Sequence, residues 1–154
     1  MEQGHFRGLY VKREQLVKYL SLFLMIVTFL PSALLADTTI KNYGNGQRLY
    51  SWDGKYLKSY DNGQRIIEWD GQYIKNYQNG SRSFEFDGQY FKSYSNGKRL
   101  YEWDGQYIKS YSDGKRLFEY DGKYVKNYSN GQRILEVDGA IPIAVVIAIG
   151  TGMV

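Results

Sequence analysis

Cysteine is absent from the 154 residues, proline occurs twice, and the single histidine is His5. Without cysteine there is no disulfide, no thiolate zinc site and no cysteine nucleophile. Without a histidine beyond position 5, imidazole metal sites and Ser-His-Asp arrangements are excluded from the body of the chain. Scarce proline also excludes collagen-like repeats and Pro-rich linkers. What abounds instead is glycine, at 17 residues, and tyrosine, at 16. That pairing points to one domain of aromatic-rich strands joined by many tight turns.

The first 36 residues read as a leader. Arg7, Lys12, Arg13 and Lys18 stand against Glu2 and Glu14, an uncharged apolar run covers residues 19–30, and Pro31 precedes Ser32-Ala33-Leu34-Leu35-Ala36. This is the layout of a secretory signal peptide, with cleavage expected after Ala36. Left uncleaved, residues 19–36 would be an N-terminal membrane anchor at the lower length limit for a spanning helix. The leader holds four of the 20 basic and two of the 16 acidic residues, which leaves 16 and 14 and a net charge of +2 from Asp37 onward. Those charges alternate in sign at short spacing, as on a solvated surface, so nucleic acid is not an expected partner.

From Asp37 to the tail the chain repeats. Asp-Gly pairs begin at Asp53, Asp70, Asp87, Asp104, Asp121 and Asp138, and a second set of turns begins at Asn45, Asn62, Asn79, Asn96, Asp113 and Asn130; both sets have a 17-residue period. Asp-Gly and Asn-Gly favour the positive φ angles of hairpin turns, and the runs between them are rich in Tyr, Phe, Ile and Trp. Each unit is therefore a β-hairpin, and the fold class is all-β: an antiparallel meander sheet, curled or superhelical. A β-solenoid with 17-residue rungs is the alternative, at the cost of turning bulky Trp, Arg or Tyr-Lys-Tyr sets inward.

Two equal two-residue loops would carry the pairing 18 residues per unit and flip equivalent side chains from face to face. The loops must be unequal, and a longer Asn-Gly loop ending on a left-handed glycine gives the cleaner faces. One face is then apolar, with Ile67, Ile74, Phe84, Phe91, Ile108, Val125 and Leu135 beside Trp52, Trp69 and Trp103, and the arginines along its margin. The other is wet, with Tyr56, Tyr73, Tyr90, Tyr107 and Tyr124 beside Glu68, Glu85 and Glu102. Counting the tail gives 13 strands, and a closed barrel of that many short strands would have a wide, unfilled interior.

Residues 140–154 carry no charge. Ile141, Ile143 and Val145 occupy the places held elsewhere by Tyr, Lys and Tyr, so a wet strand has been rewritten as an apolar one. The domain reading is thus a leader at 1–36, repeats at 37–139 and an apolar C-terminal segment at 140–154. That segment is expected either to cap the sheet as a strand or plugging helix, or to serve assembly through Ile141, Ile143 and Val145 on an exposed edge.

Catalysis is not expected, because carboxylates occur in every unit as equivalent copies that serve the turns and ladders, and no position departs from the repeat to make a unique polar set. No cofactor or metal is expected either, since the Asp-x-Asp-x-Asp spacing of calcium loops is missing. A polysaccharide is the better candidate ligand, with Tyr56, Tyr73, Tyr90, Tyr107, Tyr124, Trp52, Trp69 and Trp103 as flat apolar plates at regular spacing. In style the chain resembles hairpin-repeat envelope proteins such as choline-binding cell-wall modules and MORN repeats. It lacks their Gly-Trp and Tyr-x-Gly-x-Trp motifs, so the resemblance implies architecture alone. The expectation is an exported, non-enzymatic repeat protein with a structural or self-assembling role at the envelope or surface, or else a cell-wall-binding module.

Overall fold

The computed structural model describes residues 37–154, and the leader read at 1–36 lies outside them. Twelve strands run in chain order: β1 (Thr38–Asn42), β2 (Arg48–Trp52), β3 (Tyr56–Ser59), β4 (Arg65–Trp69), β5 (Tyr73–Asn76), β6 (Arg82–Phe86), β7 (Tyr90–Ser93), β8 (Arg99–Trp103), β9 (Tyr107–Ser110), β10 (Arg116–Tyr120), β11 (Tyr124–Asn127) and β12 (Arg133–Asp138). One helix follows, α1 (Ile143–Gly150). Every strand pairs antiparallel with its chain neighbours, and β1 pairs with β12, so the meander closes into a barrel. Antiparallel pairing throughout excludes the solenoid.

The two turns differ as their residues require. At the Asp-Gly turn the loop is only Gly54 and Lys55. The Asp53 amide donates to the Tyr56 carbonyl at 3.3 Å, and the Asp53 carboxylate accepts the amides of Lys55 at 3.0 Å and Tyr56 at 2.7 Å. Gly54, at φ +94°, takes the first central position of the hairpin, where glycine is favoured. At the Asn-Gly turn the loop is longer, residues 60–63, closed by the Ser59 amide on the Gln64 carbonyl at 2.9 Å and ended by Gly63 at φ +69°. A β-bulge follows it, because Leu57 faces Ile67 while Lys58 faces Arg65.

Register then closes the sheet. Trp52 faces Leu57, and Leu57 faces Ile67, which lies two residues short of Trp69, the counterpart of Trp52 one repeat later. The same two-residue stagger recurs across the seam, where Val137 faces Ile40 and Ile40 faces Tyr50. Six such steps give a shear equal to the strand number, the ratio that tilts barrel strands by about 36°. Because the stagger is even, no side chain changes face. β1 supplies the half-hairpin that the sixth unit lacks, with Ile40 and Lys41 standing where Leu57 and Lys58 stand in the first.

The thirteenth strand expected from the tail does not form, and the interior is not empty. At a strand spacing of about 4.8 Å and this tilt the backbone cylinder is about 22 Å across, and a helix about 10 Å wide leaves room for one layer of side chains around it. α1 occupies that space. Ala144, Val145, Val146, Ile147 and Ala148, which together circle the helix, are all buried against Ile40, Trp52, Leu57, Ile74, Phe91, Ile108 and Val125. Burial on every side explains a segment that is apolar on every side.

A helix end inside an apolar barrel must satisfy its own carbonyls. Gly152, at φ +71°, donates to Ile149 at 3.2 Å, Met153 donates to Ala148 at 2.8 Å, and the Thr151 hydroxyl donates to Ile147 at 2.7 Å. This is a Schellman ending, with Met153 folded back on the core.

Candidate functional site

Since the tail fills the interior, the surface left for recognition is the outer wall and the two rims. The wall carries two belts. Toward the Asp-Gly rim, each Lys of the odd strands reaches its turn aspartate: Lys75 to Asp70 at 2.8 Å, Lys92 to Asp87 at 2.7 Å and Lys109 to Asp104 at 2.7 Å. Partial burial works against ionisation of Asp70, Asp87 and Asp104, but the lysine and the two turn amides outweigh it and hold each carboxyl down at about 2. These groups are fully engaged in forming the turn.

Toward the Asn-Gly rim lies a belt of tyrosine and arginine. Arg65 donates to the Tyr77 hydroxyl at 3.0 Å and lies 4.3 Å from the Tyr56 ring centre, while Tyr56 and Tyr77 meet edge to face at 5.4 Å. The triplet recurs as Tyr73–Arg82–Tyr94, Tyr90–Arg99–Tyr111, Tyr107–Arg116–Tyr128 and, across the seam, Tyr124–Arg133–Tyr43. In the sixth place Thr39 replaces the first tyrosine, and Arg48 keeps only Tyr60.

No protein-family model, curated protein or solved structure matches this chain. The site therefore has to be read from its own chemistry.

Tyr56, Tyr73, Tyr90, Tyr107 and Tyr124 do lie in one row on the outer wall. A guanidinium covers a face of each ring, however, so the ring faces are not open plates. Trp52 is buried at 3% exposure, and Trp69 and Trp103 pack half-buried against the interior cluster, on the opposite side of the sheet from the tyrosines. The tryptophans and tyrosines therefore do not form one surface. Val145 is wholly buried in α1, and Ile141 and Ile143 pack against the core at the rim where the tail enters. The closed barrel leaves no unpaired sheet edge among the described strands.

The arginines depart from the sequence expectation. Alternation alone puts them along the margin of the apolar face, but the bulge beside each one returns it to the outer wall opposite a lysine. The second tyrosine of each triplet, such as Tyr77, Tyr94 and Tyr111, was not singled out. Its signal is the constant 12-residue step from Arg48, Arg65, Arg82, Arg99 and Arg116 to a tyrosine near the next turn, a step that Arg133 lacks.

An open depression at the Asp-Gly rim is lined by Trp69, Gly71, Phe86, Pro142 and Ile143. It is the dent where the tail turns inward, not a chamber. Among the described residues no group of carboxylates or histidines is arranged to hold a metal.

Proposed function

We propose that this chain is an exported, non-enzymatic structural protein of the cell envelope or cell surface. One observation carries the reading: among the described residues the barrel is filled by its own tail, and the Lys–Asp and Tyr–Arg–Tyr clusters of the wall are repeated as near-identical copies. A catalytic site needs a unique arrangement of acid, base or nucleophile, and repetition speaks for scaffold or array. The outer wall does not suit lipid. Its strands are four to six residues long, against the 9–11 of a membrane barrel, and it is lined with Lys–Asp pairs. Self-association, if it accompanies this role, falls to the wall and rims, since the tail is inside.

Export rests on the basic flank, apolar run and Ala36 of the leader. The test is expression of the full chain in a secreting bacterial host, followed by fractionation and intact-mass measurement. A mature protein beginning at Asp37 in the envelope or exterior fraction supports the reading. A full-length mass confined to the cytosol overturns it.

A second reading, a cell-wall-binding module, is favoured by the outer tyrosine row. The covered ring faces redirect it, because the groups that such a wall offers outward are guanidinium edges.

A further inference from the structure

Charge is segregated along the barrel axis. The six arginines with Lys98 and Lys115 lie toward the Asn-Gly rim, where the acids are Asp61 and Asp113, for a net +6. The other eight lysines share the opposite half with seven aspartates and five glutamates, for a net −4. Ion pairing sharpens the contrast: among the described residues every ion pair uses a lysine, and no arginine has a carboxylate partner. Six exposed guanidiniums therefore form a crown that no carboxylate touches directly among the described residues.

Each of these arginines is also held in place. One amino group is bound to a tyrosine hydroxyl, and in five of the six clusters the plane rests on a second tyrosine ring. A guanidinium so fixed loses little freedom on binding, and its remaining N–H groups match the paired oxygens of phosphate or sulfate. Successive arginines are two strands apart, about 12 Å along the circumference. A single small anion meets one of them, whereas a flexible chain of anions meets several and gains from the high local concentration.

We infer that the arginine crown is a binding surface for a linear polyanion bearing phosphate or sulfate groups. The inference rests on the second reading above, that the outer wall binds an envelope polymer, and it names the chemistry recognised. Asp37 shares Lys58 with the turn residue Asp53, so the first described residue lies toward the rim opposite the crown.

The test titrates the purified full chain with long-chain inorganic polyphosphate, dextran sulfate and neutral dextran, at 50 and 300 mM salt. Both anionic polymers should bind, and the affinity should fall at least about tenfold at the higher salt as counterions compete. Binding of only one of the two identifies the oxyanion without removing the crown. R82Q/R99Q/R116Q should weaken binding about tenfold or more, while K55Q/K123Q, at the Asp-Gly rim, should change it less than about twofold. The Arg→Lys triple keeps the charge and guards against misfolding; it should bind at an intermediate level.

Equal losses in the arginine and lysine sets would overturn the inference, as would failure to bind both anionic polymers. Equal binding of neutral dextran, lost in Tyr73→Ala/Tyr90→Ala but not in the arginine triple, would keep the wall as a binding surface and overturn its anionic chemistry. Salt-sensitive self-association removed by the arginine triple, with no polymer bound, would assign the crown to the acidic rim of a second copy instead.

Discussion

Arg133 donates to the Tyr43 hydroxyl at 3.2 Å across 90 residues of sequence, making the same bond that Arg65 makes to Tyr77 across 12. The seam of the barrel is thus built from the repeat's own contact, and the first strand completes the last unit. Tyr43→Phe should therefore cost what Tyr94→Phe costs, about 0.5–1.5 kcal/mol for a lost hydrogen bond. Chemical denaturation of the two variants checks this. A much larger loss at Tyr43 would mean that the seam is not equivalent to the other hairpins.

Gly139 and Thr38 meet at the seam, where β1 pairs with β12. A Cβ on Gly139 would lie 3.0 Å from the Thr38 Cβ and 3.1 Å from its Cα, whereas at Gly71 it would meet open space; both have positive φ. Gly71→Ala should cost about 1–2 kcal/mol for backbone strain alone. Gly139→Ala adds overlap with β1 and should cost at least about 3 kcal/mol, loosening the Thr38 hydroxyl bond to the Ala140 carbonyl, now 2.7 Å. Melting temperatures of the two variants should rank in that order.

Acid should weaken the barrel in a defined window. The carboxyls of Asp70, Asp87, Asp104 and Asp121 sit at about 2 in the folded chain, below the 3.8 of a free aspartate. A lowered folded value means that the stabilisation is complete above about pH 4 and is lost as the pH falls toward 2. Thermal melts between pH 7 and pH 2 should be flat at first and then fall across that interval. Asp104→Asn keeps a turn acceptor but loses the Lys109 pair, so it should melt lower at pH 7 and lose less on acidification.

The tail should behave as core and not as an appendage. Ile147 is fully buried, and Ile147→Ala should cost about 2–5 kcal/mol. Placing a charge at Val146→Lys, or deleting residues 140–154, should prevent folding of the barrel, since nothing else fills it. Circular dichroism and size-exclusion chromatography check this. A well-folded deletion variant would contradict the role given to α1.

Much of this architecture was legible in the sequence because each turn carries its own chemistry. Asp-Gly and Asn-Gly at a 17-residue period dictate hairpins, and the alternation around Leu57, Ile74, Phe91 and Ile108 dictates which face is dry. Closure was harder to read. It depends on whether Asp53 lies inside its loop or flanks it, and the decision is made by a carboxylate capturing two amides, which shifts the register by two. The bulge beside Arg65 likewise hinges on one loop residue, yet it moves a whole row of arginines to the other face. The tail's burial could be inferred from its lack of charge. Its helical form could not, because a segment apolar on all sides has no periodicity to distinguish helix from strand.

Whether residues 143–150 lie as a helix inside the closed barrel can be read from hydrogen exchange of the intact protein by mass spectrometry. Amides of Val146, Ile147 and Ala148 should exchange as slowly as those of the central strands β6 to β9, opening only with global unfolding. Exchange of the tail within seconds, while the strands stay protected, would contradict that placement.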